Sequence, residues 1–148
     1  MVLVIFSCLL LIALTTLMHY EVLSSLNLRL PALAMPSRAK LLVVIFAAFM
    51  AHALEIALYG FALFGLVQYV GGVGGLTGAG DSSLQNCLYF SAETYSSLGF
   101  GDLIPNGPIR LLAGVEALNG LLLIGWSASY AYIAMERFWG SGSGDGES

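Results

Sequence analysis

Three long apolar runs limit what this chain can fold into. They cover residues 2–18 (helix-compatible to about Asn27), 39–70 and 109–135. A bilayer crossing needs about 20 apolar residues, and each run is long enough with its helix-compatible flanks. In hydrocarbon every backbone N–H and C=O must find a partner, so isolated spans are helices. Only 9% of the 148 residues are charged and 58% are hydrophobic, whereas a soluble domain averages about 25% charged. The chain reads as an all-α membrane protein with little left over for a soluble domain. The net charge of −4 argues against a nucleic-acid partner, which needs a basic surface. Cys8 and Cys87 sit in apolar surroundings with no CxxC, so they read as small buried residues.

The first run has a rival reading as a cleaved signal peptide, because Ala32-Leu33-Ala34 resembles a cleavage site. No Lys or Arg precedes it, however, and it exceeds an h-region of about 7–15 residues. A retained helix at 1–28 is favoured. Arg29, Arg38 and Lys40 lie in or beside the connection at 29–38. The positive-inside rule places this loop in the cytoplasm, with the N-terminus outside and the C-terminus inside. A second helix is expected over 39–70. The segment at 71–81 is rich in glycine and lacks the Lys of a phosphate-binding loop, so a flexible outer loop is expected.

Residues 82–96 are amphipathic and too short to span, which suits a re-entrant helix capped by Asp81, Ser82 or Ser83. The glycine-punctuated stretch Ser97-Leu98-Gly99-Phe100-Gly101-Asp102 follows, completing a unit at 82–102, and then an outer loop at 103–108. The last helix is expected over 109–139. Glu136 and Arg137 end its apolar run, Phe138 and Trp139 are interfacial aromatics, and the tail at 140–148 has a disordered composition.

The stretch from Tyr89 through Asp102 resembles the pore segment of bacterial potassium channels of the two-transmembrane pore-loop family, whose filter reads T-V-G-Y-G. The likeness covers roughly residues 82–130, with the 39–70 helix matching in character. It implies a homotetramer, each chain giving a quarter of every carbonyl ring. Potassium would be held by the carbonyls of Ser97, Leu98, Gly99 and Phe100 and by the Ser97 hydroxyl, with Gly99 and Gly101 supplying unusual backbone angles. The resemblance also implies that Glu93 and Asp102 share a proton behind the filter, braced by Tyr89, so that one carboxyl has a raised pKa. Gly120 and Gly125 match the family's hinge region, with Leu121, Ile124 and Ala128 on the pore face. Ser97, Leu98 and Phe100 depart from the family's Thr, Val and Tyr. Phe100 lacks the bracing hydroxyl, which softens the expectation of strict selectivity. An extra N-terminal helix is a further departure, expected to pack outside the pore core against the second helix.

Ionisable residues inside spans are functional candidates. His52 and Glu55 are three apart and share a helix face with Ala48 and Tyr59, whereas His19 and Glu21 do not share one. Counted from the basic loop, His19 and His52 lie at comparable depths and could approach each other. The readings are a hydrogen-bonded packing cluster, a pH- or metal-responsive gating element, and a haem held by the two histidines. Glu116 and Asn119 pose the same question in the last helix. The function expected is passive potassium conduction with no covalent chemistry, no cofactor beyond potassium ions in the filter, and membrane lipids as partners. A weakly selective cation channel, a membrane redox or sensor protein using His19 and His52, and a non-conducting regulatory subunit are the alternatives.

Overall fold

A computed structural model describes residues 1–78 and 80–140, with only the backbone of Trp139 and Gly140. The Trp139 side chain and the tail after Gly140 therefore lie outside the described residues. Helix α1 covers Val2–Arg29, α2 Ser37–Tyr69, α3 Leu84–Tyr95 and α4 Ile109–Gly140. Strands β1 (Gly75–Gly78) and β2 (Leu103–Asn106) complete the chain. Three helices, α1, α2 and α4, are long and apolar enough to cross a membrane.

The connections follow from the residues in them. Pro31 lies in a 3-10 turn over Leu30–Ala32, and Pro36 is the N-cap of α2. A proline has no N–H to continue a helix but fits the start of one, so the chain reverses here. The reversal is tighter than the expected 29–38 loop, and Lys40 ties it by donating from Nζ to the Pro31 carbonyl at 3.1 Å. At the other end of α1 the glycine-rich segment is not a plain flexible loop. Its described part holds β1, which pairs antiparallel with β2 from Gly75↔Asn106 to Gly78↔Leu103. The ribbon pins the start of α4, with Ile109 N–H donating to the Val73 carbonyl at 3.1 Å.

Packing divides into zones. An apolar core joins Val4, Cys8 and Leu11 of α1 to Tyr59, Leu63 and Leu66 of α2, and reaches Phe90, Leu103 and Leu112. A smaller cluster of Leu30, Val44 and Ala134 closes the opposite end. Between them lies a polar belt that includes Thr15, His19, Glu55, Ser91, Glu116, Asn119 and Ser127, all buried. No buried side-chain polar atom among the described residues lacks a hydrogen-bond partner, which an apolar surrounding demands. Cys8 and Cys87 are buried free thiols, and burial pushes the Cys87 thiol up to about 11. Helix α1 packs against α4 as well as α2. Its place is thus wider than the expected contact with α2 alone, because Thr15 and His19 both find partners on α4.

Candidate functional site

Ser83 starts α3, its Oγ accepting from Asn86 N–H at 3.4 Å. The other end of α3 shapes the glycine-punctuated stretch. Ser97 N–H donates to the Thr94 carbonyl at 3.0 Å, and Leu98 N–H to the Glu93 carbonyl at 2.8 Å. That pair of bonds is a Schellman cap, which needs a left-handed residue at the position Ser97 fills. Ser97 has φ 58° and is the only described non-glycine residue with positive φ; Gly99 follows at 55° and Gly101 at 79°. Left-handed residues therefore recur at every second position from 97 to 101. A serine pays about 1–2 kcal/mol for that conformation, which the two cap bonds offset. Residues 96–102 are all exposed on the single chain, including the large apolar Leu98 and Phe100.

Behind this stretch stand the residues expected to brace it. Tyr89 Oη donates to Asp102 Oδ2 at 3.1 Å. Glu93 is buried, and its Oε2 accepts from Phe100 N–H at 3.2 Å. Each carboxyl thus accepts from a donor of its own. They still act on one another through charge. Burial, the largest cause, holds the Glu93 carboxyl above its usual range; the Phe100 N–H opposes this, and the Asp102 charge reinforces it.

A raised folded-state pKa means that protonation favours the folded state. The stabilisation is fully present below the ordinary carboxyl value and is lost as pH rises through the raised one. Acidification from neutral pH through that window is thus expected to raise the thermal unfolding midpoint through Glu93. The rise should shrink in Glu93→Gln, measured in detergent across the pH range. Identical pH dependence in both proteins would remove Glu93 as its source.

The last helix presents two different faces. Leu121, Ile124, Gly125 and Ala128 are exposed, while Glu116, Asn119, Gly120, Leu123 and Ser127 are buried. Gly120 is a close-approach glycine: a Cβ there would run into the carbonyl of Tyr95. Gly125 has open space around it. Helix α4 runs unbroken through both, so Gly120 is a packing residue in this conformation rather than a bend.

The polar belt converges on Glu55. His19 Nδ1 lies 2.9 Å from Glu55 Oε1, and His52 Nδ1 lies 3.0 Å from Oε2. Tyr95 Oη donates to Oε2 and lies 2.9 Å from His52 Nδ1. The far nitrogen of His19, Nε2, is 3.1 Å from Ser127 Oγ, and Trp126 lies beside its ring. One carboxyl thus ties α1, α2 and the end of α3 together, and His19 carries the link on to α4 through Ser127. A second knot joins Asn119 Nδ2 to Thr15 Oγ1 at 2.8 Å and to Tyr59 Oη at 3.2 Å. Ser91 Oγ contacts both the Ile56 carbonyl and a carboxyl oxygen of Glu116. Glu21 is exposed and takes no part.

The two histidines do come together, with ring centroids 5.1 Å apart, but not in the manner haem requires. Axial ligands must oppose each other across the porphyrin plane. Here both Nδ1 atoms turn side by side onto one carboxylate, so the haem reading does not fit. Sequence reasoning missed Tyr95, Thr15, Ser91 and Ser127 as members of the belt. The one signal for them was a hydroxyl inside or beside an apolar run.

Comparison with known proteins bears on this architecture. A family model described as "Ion channel" matches residues 40–137. The chain belongs to the ion channel family. The match begins near the start of α2 and takes in α3, the glycine-punctuated stretch and most of α4, leaving α1 outside. The chain is accordingly a multi-pass, largely helical membrane protein of a potassium-channel-like pore-loop family. Among similar proteins is the "Inward rectifier potassium channel Kirbac3.1" of Paramagnetospirillum magnetotacticum, 38% identical over 56 residues. That stretch is 37% of this chain and 19% of the relative, so the chain spans only a small part of the relative's length. No solved structure matches.

Proposed function

We propose that four copies of this chain form a passive potassium channel. Potassium sheds its water and is held by carbonyl rings of Ser97, Leu98, Gly99 and Phe100, with the Ser97 hydroxyl at the inner end. The observation that carries this reading is the left-handed alternation at Ser97, Gly99 and Gly101, directly after a short capped helix. Alternating left-handed and negative-φ residues cancel the usual reversal of carbonyl direction along an extended chain, so successive oxygens can face one side.

Three further observations support it. Leu98 and Phe100 are 60% and 66% exposed on one chain, an apolar surface suited to neighbouring copies around an axis. The exposed stripe of Leu121, Ile124 and Ala128 lies beside the buried face of α4 and suits the wall of an inner cavity. Glu93 and Asp102 brace the loop by separate bonds, to Phe100 N–H and to Tyr89. The resemblance implies a bacterial inner membrane, and the charges favour an orientation with both the α1–α2 connection and the C-terminal end of α4 inside. Arg29, Arg38 and Lys40 stand at that connection, and Arg137 donates to Asn27 Oδ1 at the same end.

Purified chain in liposomes loaded with potassium is expected to release it down its gradient when charge is compensated by a proton carrier. A permanently silent preparation of folded tetramer would leave this chain a non-conducting subunit.

A further inference from the structure

The knot around Glu55 holds more than hydrogen bonds need. It offers two imidazole nitrogens and a carboxylate from two helices, with ligand atoms all within 4.8 Å of one another. Both Nδ1 edges already point at the carboxylate, at 2.9 and 3.0 Å. A four-coordinate ion with bonds of about 2.0–2.1 Å spaces neighbouring donors about 3.4 Å apart. To hold an ion the nitrogen–oxygen pairs must open by that margin, and any pair wider than it, up to 4.8 Å, must close. Imidazole with carboxylate suits zinc, nickel or copper rather than magnesium or calcium, which prefer all-oxygen shells.

The surroundings match what a ligating histidine requires. Ligation through Nδ1 fixes the proton on Nε2, which must then find an acceptor. For His19 that acceptor is in place, Ser127 Oγ at 3.1 Å. Tyr95 Oη, 2.9 Å from His52 Nδ1 and bonded to Glu55, stands where a fourth donor would be needed. His19 and Glu55 are fully buried, while the His52 side chain keeps 17% of its surface, an approach from outside.

The geometry points to a binding site for one divalent transition-metal ion of the zinc type at His19, His52 and Glu55, closed by Tyr95. The bound ion would tie α1 and α2 to the last residue of α3, two positions before Ser97, and so stiffen the support of the glycine-punctuated loop. The site rests on the cluster itself and not on what the assembly conducts.

The test uses the full chain in detergent, equilibrated with zinc and then dialysed against a weak chelator. About one zinc ion per chain is expected in the wild type, with a higher thermal midpoint. Cobalt in its place is expected to give the intense visible bands of a tetrahedral site. Both effects should be lost in His52→Gln, which alters the least buried member, and in His19→Gln. Folded wild-type protein that retains no zinc would overturn the site on its own, whatever the variants do. Full retention by both folded variants would equally overturn it.

Discussion

Glu55→Ala is expected to cost the folded chain about 3–5 kcal/mol. The carboxylate is fully buried and meets His19, His52 and Tyr95 at once. Its removal leaves a cavity and takes the shared acceptor from His19, His52 and Tyr95 at once. Glu55→Gln should cost less, since the amide oxygen can still accept while its NH2 faces donors. The measurement is the denaturant or thermal midpoint of the detergent-solubilised protein. The effect should exceed that of Glu21→Ala in α1, because Glu21 is exposed. Equal midpoints for Glu55→Ala and wild type would show that the knot contributes little to holding α1 and α4 against the pore helix.

Gly120→Ala carries the second large effect. The added methyl meets the Tyr95 carbonyl, a backbone group, and the backbone there has little freedom. Tyr95 ends α3, its side chain is bonded to Glu55, and the residues after it are locked by the Schellman cap. Overpacking of this kind costs about 1–3 kcal/mol, and relief must come from moving the end of the pore helix. Gly125→Ala is the control. Its Cβ has open space, and replacing a mid-helix glycine by alanine favours the helix by about 1 kcal/mol. The two variants should therefore move the thermal midpoint in opposite directions. A hinge at Gly120 without the Tyr95 contact would make them alike.

The three long apolar helices and the short amphipathic one before the last were legible because run length and amphipathicity are local properties. So was the approach of His19 and His52, since depth along antiparallel helices can be counted from a shared loop. The β1–β2 ribbon was not legible. Its glycines suggest coil, and the partner strand lies beyond the pore helix, so only tertiary pairing reveals it. Glu93 and Asp102 illustrate a different limit. Their closeness could be inferred from the family resemblance, but which donor each accepts from depends on how Phe100 N–H and Tyr89 are placed. Gly120 reads in a sequence as a bend or a close approach, and the structure gives the second its cause, a carbonyl from another helix. Ser97 is the clearest case, because nothing in a serine announces a left-handed backbone until the cap that demands it is seen.

We propose that the Ser97–Phe100 carbonyls, in a tetramer, select potassium. Phe100 stands where the resembling family has a tyrosine, so the loop does without that hydroxyl behind it. The direct measurement is the reversal potential of the purified chain in a planar bilayer with potassium on one side and sodium on the other at equal concentration. A reversal far from zero is expected, on the side that marks potassium as the permeant ion. A reversal near zero, with conductance present, would contradict it and leave a cation pore without selectivity.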